Sequence, residues 1–278
     1  MPEGIELLAA SNANVPQANV SPGVLFDTHA HYDDGAFDND RDELLARLPA
    51  CGIGCVINIG YDIASSEAGR CLAGMYGHIW FTAGIHPHNA AGAPENFETR
   101  LSAILTDEKA VALGEIGLDY YYDHSPRARQ REVFARQLVL AGERGAPVVI
   151  HDRDAHDDII DILHAHRGLL NGGVMHCFSG GRELAAKALD LGLYIAFGGA
   201  LTFKNAHELA GAAAFTPRDR LLLETDCPYL SPVPYRGRRN DSTRLGIIAD
   251  RLARIRGVSV ADIAEATAEN AKMLFLSP

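Results

Sequence analysis

Histidines and carboxylates recur at the ends of short apolar runs in this chain. His29 and His31 lie in VLFDTHAH, His86 in IWFTAGIHPH, Glu115 in AVALGEIGLDY, His151 in PVVIHDRD, His176 in GVMHCFSG and Asp226 in RLLLETDCPYL. Alternate residues of a strand point the same way, so the His29-x-His31 pair can share one metal ion. Asp27 falls on the same face and could fix an imidazole tautomer from behind. Glu224 and Asp226 share a face likewise. Glu115 has Gly114 and Gly117 beside it and apolar neighbours, which predicts a site withdrawn from solvent. Its two oxygens could bridge two cations. His151 and His176 end runs that should be buried, where an imidazole without a partner is costly. Taken singly, each is more simply a hydrogen-bonded structural residue or a surface carboxylate. Together, four histidines and two carboxylates suit two ions sharing an oxygen.

Their convergence depends on the elements that carry them. From Val24 onward, eight β-branched apolar runs alternate with helix-period stretches, the remaining two runs being CVINIG and LYIAFGGA. Helix signals cover 39–48, 126–144, 155–166, 181–191, 205–214 and 243–256, with Pro126 suited to a first turn. Marks near the run ends are 22 to 36 residues apart, room for one strand and one helix. Apolar strands alternating with helices imply a parallel sheet covered by helices. Eight units predict a (β/α)8 TIM barrel, an α/β fold, as a single domain over residues 23–278. A doubly wound open sheet is the alternative, but it would call for a glycine-rich turn where this chain has Asp-Thr-His-Ala-His. In a barrel all carboxyl ends open on one face, bringing together residues nearly 200 positions apart. Residues 1–22, rich in Ala and Asn, read as an N-terminal extension outside the barrel.

The chain has 278 residues, 25 Lys+Arg and 36 Asp+Glu, a net charge of −11. That balance excludes a general nucleic-acid coating protein, which needs a basic excess. A local phosphate site remains compatible with it. No window is apolar enough for a membrane span. No Lys or Arg precedes Arg41, so the N-terminus lacks the positive flank of a secretory signal, and a cytoplasmic location is expected. Nothing marks an obligatory protein partner. The five cysteines (Cys51, Cys55, Cys71, Cys177, Cys227) are odd in number and scattered, and read as buried free thiols rather than disulfides or a zinc cluster.

Seven motifs in order, FDTHAH, GIHPH, GEIGLDYYY, PVVIHDRDA, MHCFSG, LLLETDCPYLSP and YRGRRN, resemble those of the TatD-type metal-dependent deoxyribonucleases of the amidohydrolase superfamily. The resemblance covers about Leu25 to Leu276. It implies that His29, His31 and Asp226 hold one ion, that His151 and His176 hold another, and that Glu115 bridges them. A bridging Glu, in place of a modified lysine, separates this group from phosphotriesterases. It places His86 at a position associated with substrate phosphate. The chain departs from the family pattern at Tyr32, Asp33 and Asp34, expected to change the pocket rim, and at Asp241-Ser242, where Glu-Pro is common.

The chemistry expected of this set is phosphodiester hydrolysis. Two divalent cations, zinc, magnesium or manganese, would lower the pKa of a shared water and polarise a phosphodiester oxygen. Glu115, Asp226 and His86 are the candidate catalytic residues, Asp226 orienting the water or taking its proton. His86, Arg153, Arg236 and Arg238 are the candidate phosphate contacts. Between Cys227 and Arg244 the chain has Arg236, Arg238, Arg239 and Arg244 against Asp241, with Tyr229 and Tyr235 available to stack on bases. Ions inside a cup suit single-stranded or frayed DNA ends, hence a 3′ to 5′ exonuclease in repair or turnover. The alternatives are a hydrolase of another ester or amide, such as an aminoacyl ester on tRNA, and a non-catalytic metal-binding barrel.

Overall fold

The computed structural model describes residues 24–277; the expected extension 1–22 lies outside them. Eight strands, β1 (Leu25–Ala30), β2 (Ile53–Asn58), β3 (Ile79–Ala83), β4 (Ala110–Asp119), β5 (Val148–Arg153), β6 (Gly173–Met175), β7 (Tyr194–Phe197) and β8 (Leu221–Leu223), match the eight apolar runs. They pair in parallel in sequential order. Closure occurs beyond the end of β8: Ala30 bridges Cys227, His31 N–H donates to the Cys227 carbonyl at 2.8 Å, and Asp226 N–H donates to the His29 carbonyl at 2.9 Å. The fold is a (β/α)8 barrel in a single domain. The sequential order and this closure exclude the open doubly wound sheet.

Six helices fall where their signals lie: α1 (Arg41–Arg47), α4 (Arg127–Arg144), α5 (His156–Ala165), α6 (Arg182–Asp190), α7 (His207–Phe215) and α8 (Leu245–Arg256). Pro126 is extended and sits just before α4 rather than in its first turn. Three more, α2 (Ile63–Met75), α3 (Phe97–Ile104) and α9 (Val260–Phe275), carried no expectation, although α3 buries an apolar stripe of Phe97, Leu101 and Ile104. Local chemistry starts two of them. Asp62 and Ser65 cap α2 reciprocally, as Ser259 and Asp262 cap α9. Packing sustains them: Ala271 and Phe275 of α9 join Phe26, Ile57, Val149 and Leu222 from four strands in one buried cluster.

No helix among the described residues is long and apolar enough to cross a membrane. The five cysteines are free, as expected, but only Cys227 is buried: Cys55 and Cys177 are partly exposed, and Cys51 and Cys71 are exposed on the outward faces of helical segments.

Candidate active site

The strand ends bring His29, His31, His86, Glu115, His151, His176 and Asp226 into one cup. Glu115 is buried at its centre and divides the histidines between its oxygens. Its Oε2 lies 3.4 Å from His29 Nε2. Its Oε1 lies 2.7 Å from His151 Nδ1, 3.3 Å from His176 Nε2 and 3.5 Å from His86 Nε2. Asp226 Oδ1 faces His31 Nε2 at 3.5 Å and His29 Nε2 at 3.7 Å. The His29 and His176 rings stack at 3.5 Å.

Local backbone explains the position of both carboxylates. The glycines near Glu115 serve close packing of β4 on β5. A Cβ on Gly117, at φ +142°, would meet the His151 carbonyl oxygen at 2.0 Å, and one on Gly114 would meet Val149 Cβ at 2.6 Å. Asp226 follows β8 at φ 55°, a left-handed conformation that Asp tolerates better than most residues.

The donor set fits divalent cations. His29 and His31 aim Nε2 at each other across 3.2 Å, while both Nδ1 atoms are buried without partners. Two neutral imidazoles can share only one proton across that contact, whereas a cation satisfies both lone pairs. His29, His31 and Asp226 form one group with ligating atoms close enough for a shared ion, and His86, Glu115 and His151 form another.

Charge in the cluster is uneven. Burial acts to raise Glu115, but His176, His86 and His29 hold it well below the usual carboxylate range. Burial also opposes ionisation of Asp226, which the His31 hydrogen bond and nearby imidazoles keep below its ordinary value. Burial depresses His151, yet hydrogen bonds to Asp119 and Glu115 push it up to about 9. For His176, burial is outweighed by Glu224 and Glu115, and the value rises to about 10. His86 falls to about 4 through burial and the positive His151 beside it.

His86 is buried among the other imidazoles: its Nδ1 accepts from His88 N–H at 3.1 Å and its ring lies 4.3 Å from His151. Asp27 does not touch an imidazole ring. The pairing of β1 with β2 shifts between Asp27 and Ala30, so strict alternation fails there. Asp27 instead accepts from Thr225 N–H at 2.9 Å and from the Thr225 and Ser242 hydroxyls at 2.6 Å each.

The two departures from the family pattern meet at the same place. Tyr32 is fully buried and does not shape the rim; its hydroxyl donates to Ser242 Oγ at 2.8 Å and accepts from Ser242 N–H at 3.0 Å. A proline at 242 could not donate that bond.

Of the arginines, Arg153 and Arg236 line a cavity of about 740 Å³ together with His151, His176 and Asp226. Arg236 lies over the Phe203 ring at 4.5 Å. Arg238 is exposed and lines a neighbouring depression. Arg239 is paired with both oxygens of Asp40 at 2.6 Å, and Arg244 donates to Ser231 and covers Tyr235. The loop therefore offers less free positive charge than its count of arginines.

Three residues without an assigned role in the sequence reading support the cup. Asp119 Oδ2 faces His151 Nε2 at 3.0 Å and His88 Nε2 at 2.9 Å. Glu224 faces His176 Nδ1 at 3.2 Å and accepts from Cys177 N–H at 2.6 Å. Such carboxylate–imidazole contacts fix which ring nitrogen faces inward. Asp119 lies four residues past Glu115 on β4, and His88 repeats the His-x-His pattern with His86, so both had a signal in their spacing.

A closed parallel barrel with imidazoles and carboxylates converging at its carboxyl end defines the class of metal-dependent hydrolase barrels. The model of the family described as TatD related DNase matches residues 26–276, and the chain belongs to that family. It is 38% identical over 252 residues to an uncharacterized metal-dependent hydrolase, YabD, of Bacillus subtilis, covering 91% of this chain and 99% of that one. It is 37% identical to the 3′-5′ ssDNA/RNA exonuclease TatD of Cronobacter sakazakii, covering 91% and 98%. The crystal structure of the TatD homologue YjjV from Escherichia coli superposes with a TM-score of 0.86 at 30% identity, covering 92% and 99%.

Proposed function

We propose that this protein is a dinuclear metal-dependent deoxyribonuclease, an exonuclease acting 3′ to 5′ on single-stranded or frayed DNA ends in cytoplasmic repair or turnover. The observation that carries the reading is the division of Glu115 between two imidazole groups, Oε2 toward His29 and Oε1 toward His151 and His176, beside a cavity lined by Arg153 and Arg236. The similarity to a 3′-5′ ssDNA/RNA exonuclease supports it.

His29, His31 and Asp226 would hold one ion and His151 and His176 the other, with the Glu115 carboxylate between the two groups. Bound there, the ions supply a nucleophilic water near neutral pH and polarise the phosphodiester. Asp226, ionised amid its imidazoles, would accept the proton of the attacking water at a carboxylate oxygen and return it to the sugar oxygen that leaves as the P–O bond breaks. His86, largely neutral, donates a hydrogen bond to a non-bridging oxygen from Nε2, its Nδ1 being engaged by His88 N–H. Arg153 and Arg236 meet phosphates in the cavity, and Arg238 meets the strand farther out.

The decisive experiment is a gel time course on 5′- and 3′-labelled single and double strands, DNA and RNA, with chelated enzyme reloaded in turn with magnesium, manganese and zinc. Stepwise shortening of 5′-labelled single strands supports the reading. Faster turnover of small carboxylic esters than of any oligonucleotide overturns it.

A further inference from the structure

The loop after β4 presents an aromatic surface that the hydrolytic cup does not use. Tyr121 is 59% exposed and Tyr122 50% exposed, and neither phenol oxygen has a hydrogen-bond partner among the described residues. The Arg153 guanidinium lies over the Tyr121 ring at 4.2 Å and the Tyr122 ring at 4.7 Å. Arg153 makes no ion pair among the described residues, although it comes from a chain of net charge −11. His124 stacks on Tyr122 with an interplanar angle of 11°, and Tyr121 abuts Tyr122 edge-on at 87°. Tyr122 is thus contacted by His124 and Arg153, and Tyr121, with Arg153 over its ring, is the more exposed of the two.

The surface is tied to the cup by one carboxylate. Asp119 Oδ1 accepts the N–H groups of Tyr121 at 3.1 Å and Tyr122 at 2.8 Å, while its Oδ2 faces His151. Across the mouth, on the loop after β8, Tyr229 is also half exposed; β4 and β8 are four places apart in the eight-stranded order, on opposite sides of the barrel.

A largely exposed tyrosine ring beside a guanidinium without an ion pair matches a nucleotide, a flat base with an anionic phosphate next to it. We infer that Tyr121 is a base-stacking site for an unpaired nucleotide outside the cup, with Arg153 meeting the phosphate of that nucleotide. The inference rests on the nuclease reading and deepens it: the enzyme grips a single strand through a base that it does not release. A duplex cannot offer such a base, because its faces are already stacked on their neighbours.

Binding can be read without turnover, on the chelated full-length protein, by fluorescence anisotropy of a labelled single-stranded ten-nucleotide probe and of probes with one abasic site walked along it. Tyr121→Ala should weaken binding about tenfold, within the range of one base–aromatic stack, while Tyr121→Phe stays near the parent. At one position an abasic site should cost the parent protein about the same tenfold and cost Tyr121→Ala nothing further. A 2-aminopurine at that position should be quenched by the parent and by Tyr121→Phe, but not by Tyr121→Ala. Equal abasic losses in parent and Tyr121→Ala at every position, or no position of Tyr121-dependent quenching, overturn the inference. Failure of the nuclease reading looks different: stacking is retained, yet no metal restores cleavage of the same probe.

Discussion

Two carboxylate clusters, one around Asp27 on β1 and one around Glu115 on β4 and Asp226 after β8, solve burial differently. Asp27 is surrounded by hydroxyls and N–H groups from Thr225, Ser242 and the His29 backbone, with Tyr32 joining through Ser242. Its hydrogen bonds are satisfied but its charge is not, and burial pushes it up to about 7. Glu115 is almost as deeply placed and Asp226 partly so, yet imidazoles surround them and hold them ionised. Hydroxyls complete a structural cluster by themselves. Imidazoles facing carboxylates make one that must take up positive charge, as protons or as metal ions. The first arrangement locks the loop after β8 onto β1; the second gathers donors that can bind metal.

The comparison breaks most sharply at Asp226. Asp226→Ala is expected to lower turnover of a single-stranded oligonucleotide by about 10³-fold, within the range for lost proton-transfer groups, with folding of the chelated protein little changed. Unchanged turnover would remove this carboxylate from the chemistry.

At Asp27 the effect falls on stability instead. A carboxyl whose folded value lies above its unfolded one keeps its proton longer in the native state, so stability declines as pH rises from about 4 to 7 and is level above that. Asp27→Asn imitates the protonated form. It should be more stable than the parent by up to about 4 kcal/mol above pH 7, an order-of-magnitude figure from the shift, and level with it near pH 4. Chemical denaturation across that range, with and without added metal, checks it; a constant difference at all pH values would contradict the assignment.

Metal loading should stabilise the cup and leave the Asp27 cluster indifferent. At a hundredfold excess over Kd a single ion adds about 2.7 kcal/mol. Because His151 and His176 hold protons up to about 9 and 10 without ions, loading must expel them, and apparent affinity should rise as pH rises toward those values. Calorimetry in buffers of different ionisation enthalpy would count the released protons; none released would place the ions elsewhere.

The smallest effect tests the Tyr32–Ser242 contact. Tyr32→Phe and Ser242→Ala should each cost about 1 kcal/mol, and the double variant less than their sum, as for partners in one hydrogen-bond network. Strict additivity in urea titrations would mean that the two residues act independently.

Much of the barrel was legible because β-branched runs and turn spacing are local signals. The helices α2 and α9 were not, since they follow from caps and, for α9, from burial against strands far away in sequence, whereas α3 had a local signal in the spacing of Phe97, Leu101 and Ile104 that was passed over. In the cup, the residues at the strand ends stood out because charge after an apolar run is conspicuous. Asp119 was passed over although it shares the period of Glu115, and the link between Tyr32 and Ser242, 210 positions apart, has no local trace.

By itself the sequence determined the order of the eight strands and which polar residues sit at their ends, since a parallel barrel must bring those ends to one face. Only the tertiary structure decided where each polar group points: Asp27 into a cluster of hydroxyls, Arg239 to Asp40, Arg153 onto two tyrosines, and Glu115 between two sets of imidazoles. The reason is geometric. Residue type and spacing fix which chemistry is available, but a side chain's partner depends on strand register and loop path, which are settled when the barrel closes.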